Sequence, residues 1–196
     1  KKAYQVETEI NSKIEDYKYK VTVIDQNGME LISYSPAKEA ILQTPEPAKA
    51  AKKPEEIQTN EDLYLTALHL EQYRHATYDP DPYYLEGLKR NPDDIRINNA
   101  YGRLLLRRGL FAESEKYFKK AINKLTEKNP NPYDGEAYYN LGLSLKYQDK
   151  LYKAYSAFHK AIWNGDLQDR GFYELAAIEN GRENFKDALS YIEKSI

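Results

Sequence analysis

The feature that most constrains this chain is a pattern written several times over. Residues 95–129 (IRINNAYGRLLLRRGLFAESEKYFKKAINKLTEKN) encode two consecutive helices. In the first, Ile97, Tyr101, Leu104 and Leu105 recur at helical spacing. Gly102 interrupts them. A glycine inside a helix costs about 1 kcal/mol relative to alanine, so this one predicts the close approach of a second helix. Gly109 is placed to end the first helix in the left-handed conformation. The second helix carries Phe111, Ser114, Tyr117, Phe118, Ala121, Ile122 and Leu125. Small Ser114 and Ala121 flank large Phe118, a face suited to a tight helix pair.

The same arrangement returns downstream in Tyr138, Leu141, Gly142, Leu145, Ala154, Phe158 and Ala161. Gly102 and Gly142 lie 40 positions apart, as do Ser114 and Ala154. Phe172, Leu175, Ala176, Ala188 and Ile192 form a further copy, displaced by 34 from Gly142 to Ala176 and from Ala154 to Ala188. Upstream, Tyr64, Ala67, Leu68, Tyr84, Gly87, Leu88 and Pro92 fit one more, with 34 positions between Tyr84 and Phe118.

A period of about 34 with small and aromatic residues at these places resembles the tetratricopeptide repeat (TPR) family. The resemblance covers residues 60–196. It implies a mainly α, right-handed helical solenoid of about four helix pairs, with a ligand groove on the first-helix face. Three departures stand out. Asn98 replaces the first-helix aromatic in the central repeat, and Pro80 stands where the first repeat needs a small residue. The 40-residue offset implies about six extra residues, placed in the turn around 129–135 (NPNPYDG).

The N-terminal part reads differently. Tyr17 to Pro36 alternates on both sides of Gln26-Asn27-Gly28, and Asn-Gly between such runs predicts a β-hairpin. Ala3 to Ile10 alternates too and reads as a third strand. So few strands form no stable sheet alone, which suggests the end of an upstream β-sandwich or a small sheet against the first helices. Residues 37–59, rich in Ala, Pro, Lys and Glu, read as a stiff linker. Thr59 or Asn60 is placed to cap the first helix. The expected organisation is a β segment over 1–36, a linker over 37–59 and repeats over 60–94, 95–134, 135–168 and 169–196. The start at Lys1 without Met, and a last helix with no polar cap behind it, read as a piece of a longer protein.

Composition excludes more than it selects. Net charge is −2 with 31% charged residues, which gives no reason to expect nucleic acid or a membrane surface as partner. No apolar run approaches the roughly 20 residues of a membrane span. The absence of cysteine excludes disulfides and thiol chemistry but assigns no compartment; a soluble, cytoplasmic chain is the default. No cofactor is expected. His69 and His75 lie six apart and point in different directions, His159 stands beside Phe158, and no metal site is read from them. Asp79-Pro80-Asp81-Pro82 holds two carboxylates in a stiff turn. Paired acids can perform acid–base chemistry, but a solvated interhelix turn is the plainer reading. No catalytic constellation is present, so the segment is not expected to be an enzyme.

Candidate binding residues follow from the repeat register. Arg96, Asn99, Arg103 and Arg107 fall on the first-helix face of the central repeat, with Lys146 and Arg170 from the next two. A basic stripe of guanidinium groups suits carboxylates, hence a protein or an acidic peptide. The plainer reading of Arg107 and Arg108 is service at a helix C-terminus. Tyr84 and Tyr138 fall at packing positions; Tyr139, Tyr147 and Tyr173 fall toward the groove. The carboxylate clamp of chaperone adaptors is not carried over, because His69 stands where its asparagine is sought in the first repeat.

A second resemblance involves Leu63–Tyr84 and Tyr133–Leu145. These are similar to the C-terminal helical part of large bacterial proteins that carry a domain of unknown function and a mutarotase-like β-sandwich. That resemblance implies a carbohydrate-linked parent. Two functions therefore stand side by side: a protein-binding scaffold module, or a helical region bracing the β-sandwich of a carbohydrate-active enzyme.

Overall fold

The computed structural model describes residues 7–9, 14–38, 49–73 and 77–196. The chain divides into two units, residues 1–49 and 50–196.

The first unit contains the expected hairpin. Strands β1 (Val21–Ile24) and β2 (Glu30–Tyr34) pair antiparallel, with Val21 opposite Tyr34 and Val23 opposite Ile32. The register slips between Val23 and Ile24, which leaves Leu31 as the extra residue of a bulge. Asp25 organises the turn: its Oδ1 accepts from the amides of Asn27 and Met29, each at 2.8 Å, and Gly28 takes φ +84°. Those amides hold the Asp25 carboxyl below its ordinary range, the Met29 bond most of all. Val21, Val23, Ile32 and Tyr34 are all exposed. The strand expected over Ala3–Ile10 lies largely outside the described residues.

The second unit is four antiparallel helix pairs in series: α1 (Asn60–Gln72) with α2 (Asp81–Arg90), α3 (Ile95–Arg107) with α4 (Phe111–Thr126), α5 (Glu136–Lys146) with α6 (Leu151–Ala161), and α7 (Gln168–Gly181) with α8 (Phe185–Lys194). The pairing rests on the glycines. A Cβ on Gly102 would stand 2.7 Å from the Phe118 ring, and one on Gly142 would stand 2.5 Å from Phe158. Each phenylalanine fills the notch its glycine leaves, and both are fully buried. Tyr84 occupies the Phe118 position in the first pair and is buried as deeply. Its hydroxyl donates to Glu71 at 3.1 Å. The connection that carries the extra residues runs over 127–135.

The turn inside each pair also repeats. Gly109 has φ +79°, as its place after α3 predicts. At the same register stand Asp149 and Glu183, with φ 57° and 62°. All three turns close by the same bond, from Leu110 N to Leu105 O, Lys150 N to Leu145 O and Asn184 N to Glu179 O.

Thr59 caps α1, its hydroxyl accepting from Asp62 N at 3.0 Å. The residues just before it hold to the helices rather than bridging solvent. Arg90 donates to the carbonyls of Ile57 at 2.7 Å and Pro54 at 3.2 Å, Tyr83 donates to Lys52 O at 2.8 Å, and Ile57 is buried in the first-pair core. Residues 50–58 are thus a strap across the first pair. The Pro/Lys-rich composition of 37–59 concealed this, because one well-placed Ile57 suffices to anchor it.

Candidate functional site

Helices α1, α3, α5 and α7 lie side by side, and the predicted basic stripe runs along them. The structure brings most of its members together, each against an acid from a neighbouring helix. Arg96 bonds Glu61 of α1 and lies 5.2 Å over the Tyr64 ring. Arg107 pairs with Glu71 of α1. Arg103 reaches Glu136 of α5 at 3.1 Å, and Asn99 Nδ2 reaches the other oxygen of Glu136 at 2.9 Å. Asn140 Nδ2 donates to Asn99 Oδ1 at 3.1 Å. Lys146 reaches Glu174 of α7 at 2.6 Å. The stripe is therefore a ladder of alternating charge, and the acids were the part that the residue pattern alone missed. The sequence signal existed: Glu61 and Arg96 are 35 positions apart, close to one repeat.

Within this ladder lies a cleft of about 180 Å³ lined by Tyr64, Arg96, Asn99, Arg103, Asp134 and Glu136. Arg103 Nη1 is committed to Glu136, whereas Arg103 Nε is buried with no acceptor. Tyr139 packs its ring 5.7 Å from Phe158 and is half-buried. Tyr147 is exposed and stacks on Phe111 with ring centroids 4.9 Å apart. Arg170 is exposed on α7, and Tyr173 borders a second groove between α7 and α8.

Below the ladder, polar contacts join successive pairs. Ser114 Oγ donates to Ser144 Oγ at 3.0 Å, and Ser144 Oγ donates to Phe111 O at 2.7 Å. Glu115 accepts from Lys119 at 2.6 Å, Lys150 at 2.8 Å and Gln148 at 3.0 Å. Burial pushes its carboxyl up, but the bonds from Lys119, Lys150 and Gln148 prevail and hold it at about 2.

The other chemistry candidates have structural partners. Arg108 binds both turn acids, Asp81 at 2.6 Å and Asp79 at 3.2 Å, and so ties the α1–α2 turn to the end of α3. Asp79 is raised, first by its hydrogen bond with Asp81; burial pushes Asp81 up, but the bonds from Arg108 and Asp79 and the Arg108 charge together prevail and lower it. Burial and nearby Asp81 push the Tyr101 hydroxyl up to about 12. His69 packs against Tyr73 with ring centroids 4.5 Å apart and the rings tilted by 39°, His159 lies 3.2 Å from the Tyr191 hydroxyl, and His75 falls outside the described residues. Among the described residues no group of His, Cys, Asp and Glu could hold a metal.

This series of helix pairs recurs in solved structures. The fold is a tetratricopeptide-type solenoid. MamA (residues 41 to the end) from Desulfovibrio magneticus RS-1 is 20% identical with a TM-score of 0.59, over 70% of this chain and 73% of that one. PilF from Pseudomonas aeruginosa is 18% identical with a TM-score of 0.61, over 70% and 60%. PilW, described as a widely conserved type IV pilus biogenesis factor, is 28% identical with a TM-score of 0.56, over 67% and 59%. No family model matches the sequence. Among the described residues, no helix of this TPR-type array is long and apolar enough to cross a membrane.

Proposed function

We propose that the helical unit is a non-catalytic scaffold that binds a protein or an acidic peptide segment along the α1–α3–α5–α7 face. The gathering of Arg96, Asn99 and Arg103 around one cleft is the observation that carries this reading. A carboxylate entering there would meet Arg103 and Arg96 at once. The exchange is cheap, because partly exposed ion pairs such as Arg96–Glu61 contribute only about 0–1 kcal/mol. Lys146, Tyr147 and Arg170 would extend the same surface. The TPR-type fold supports the reading, since such solenoids present extended binding faces.

The test is affinity capture from source-cell lysate with residues 50–196 as bait, beside an Arg103→Glu, Arg107→Glu variant of matched thermal stability. A partner held by the native bait and lost by the variant is the expected outcome. Equal capture by both would remove the arginines from the site.

A second reading rests on the hairpin. Two strands with apolar residues exposed on β1 and β2 do not make a stable sheet, so a further sheet would complete them. That suits a helical region bracing the β-sandwich of a carbohydrate-active parent. Oligosaccharide binding by the parent that weakens when the helices are deleted would favour it.

A further inference from the structure

Three asparagines of this chain are followed by glycine: Asn27-Gly28, Asn164-Gly165 and Asn180-Gly181. Asparagine before glycine is prone to cyclise, because a residue without Cβ leaves its amide nitrogen unhindered beside the asparagine side chain. The reaction runs only where that nitrogen can reach the side-chain carbonyl carbon in a near-attack arrangement. The fold treats the three pairs differently.

Asn180 and Gly181 are the last residues of α7, and the turn beyond them is closed by Asn184 N on Glu179 O at 2.9 Å. Asn164 is held at both ends of its side chain. Its Oδ1 accepts from Asp166 N at 2.9 Å, and its Nδ2 donates to the carbonyl of Tyr133, 31 positions away. Freeing Asn180 takes unwinding of α7 and its turn, and freeing Asn164 takes release of the 127–135 connection.

Asn27 and Gly28 are exposed at the tip of the hairpin. A side chain at position 28 would be strained, since the turn sets φ at +84°. The turn therefore demands the labile pair. Among the described residues, the bonds that restrain the pair come from Asp25. Its Oδ2 accepts from Asn27 Nδ2 at 3.2 Å, and its backbone carbonyl accepts from Gly28 N at 3.1 Å. The first bond holds the electrophilic amide and the second holds the proton of the nucleophile. Contacts this local open with the turn's own fluctuation, with no packed core to break.

We propose that Asn27 is the chain's site of spontaneous deamidation, with Asp25 as its gate. When both bonds open, Gly28 N gives its proton to hydroxide and attacks Asn27 Cγ. A bond forms between Gly28 N and Cγ, the Cγ–Nδ2 bond breaks, and Nδ2 takes up a proton and leaves as ammonia. Water then adds across one carbonyl–nitrogen bond of the succinimide and opens it to aspartate or isoaspartate, with no redox change. In either product a carboxylate replaces the amide that donated to Asp25 Oδ2. Two like charges then face each other where a hydrogen bond had been, and the turn loses its organiser.

The test ages the full chain at mildly alkaline pH and follows each Asn-Gly pair by peptide-mapping mass spectrometry. Asn27 should convert at least about tenfold faster than Asn164 or Asn180. Asp25→Asn keeps an oxygen for the Asn27 and Met29 amides but removes the acceptor of Asn27 Nδ2. It should speed conversion at Asn27 about tenfold and leave the other two pairs unchanged. Asn27→Asp, which reproduces one product, should weaken the NMR contacts across the Val23–Ile32 pair. Conversion of Asn164 or Asn180 first in the native chain, or an Asn27 rate that Asp25→Asn leaves unchanged, would overturn the proposal.

Discussion

The first and last described helix pairs are built on the same repeat and differ in what packs over them. At the first pair, residues 50–58 lie across the helices, anchored by Ile57 and by three carbonyls that accept from Arg90. At the last pair, none of the described residues lies comparably over α7 and α8, and α8 contains no buried residue. The difference shows that a repeat's sequence specifies how it meets its neighbours, whereas the cover over the first pair comes from residues 50–58, outside the repeat.

The largest effect is expected from removing the cover over the first pair. Ile57→Ala with Arg90→Ala removes the apolar anchor and the donor to the strap carbonyls, at a cost of about 3 kcal/mol in urea unfolding. The same variant uncovers the outer side of α1.

The interior junctions provide the reference for both pairs. Glu115→Gln should cost about 2 kcal/mol, because Glu115 accepts from Lys119 of its own helix and from Lys150 in the turn between α5 and α6. The sign of the pH effect follows from its low pKa. A carboxyl held at about 2, against an ordinary 4.5, stabilises the fold above pH 4.5, and that contribution is lost as pH falls toward 2. Unfolding curves of Glu115→Gln should therefore lack the part of the acid destabilisation in that window that the native chain shows.

A smaller effect is expected in the last turn. Glu183→Gly relieves a left-handed residue and should raise stability by about 1 kcal/mol, with Asp149→Gly similar. On α8, Leu189→Asp alone should change stability by less than about 0.5 kcal/mol, since the side chain is exposed. Amide exchange should sharpen the contrast, with α8 exchanging first and the first pair gaining protection from its strap.

Much of this fold was readable in the residues. Gly102 and Gly142 announced a helix contact, and Phe118 and Phe158 make it. Asn27-Gly28 announced the hairpin. The parts that escaped share one physical reason: they depend on groups brought together from far along the chain. Arg103 read as a free cation, yet its acid, Glu136, stands on the next first helix, and only packing sets the two side by side. Asp149 and Glu183 escaped because neither is glycine, although Gly109 marks their register. Ile57 escaped because its neighbours are lysine and proline. The candidate site was thus legible in its cations and illegible in its balance of charge.

The glycine–phenylalanine notch has a consequence for how the chain acquires this structure. Gly102 and Phe118 are separated by only 16 positions, as are Gly142 and Phe158. The deepest contact of each pair therefore closes a short loop, which carries a small entropic cost and gives a low contact order. A nascent chain can lock α3 onto α4 before α5 has been synthesised. Folding then proceeds in the direction of translation, each finished hairpin serving as the template on which the next first helix settles.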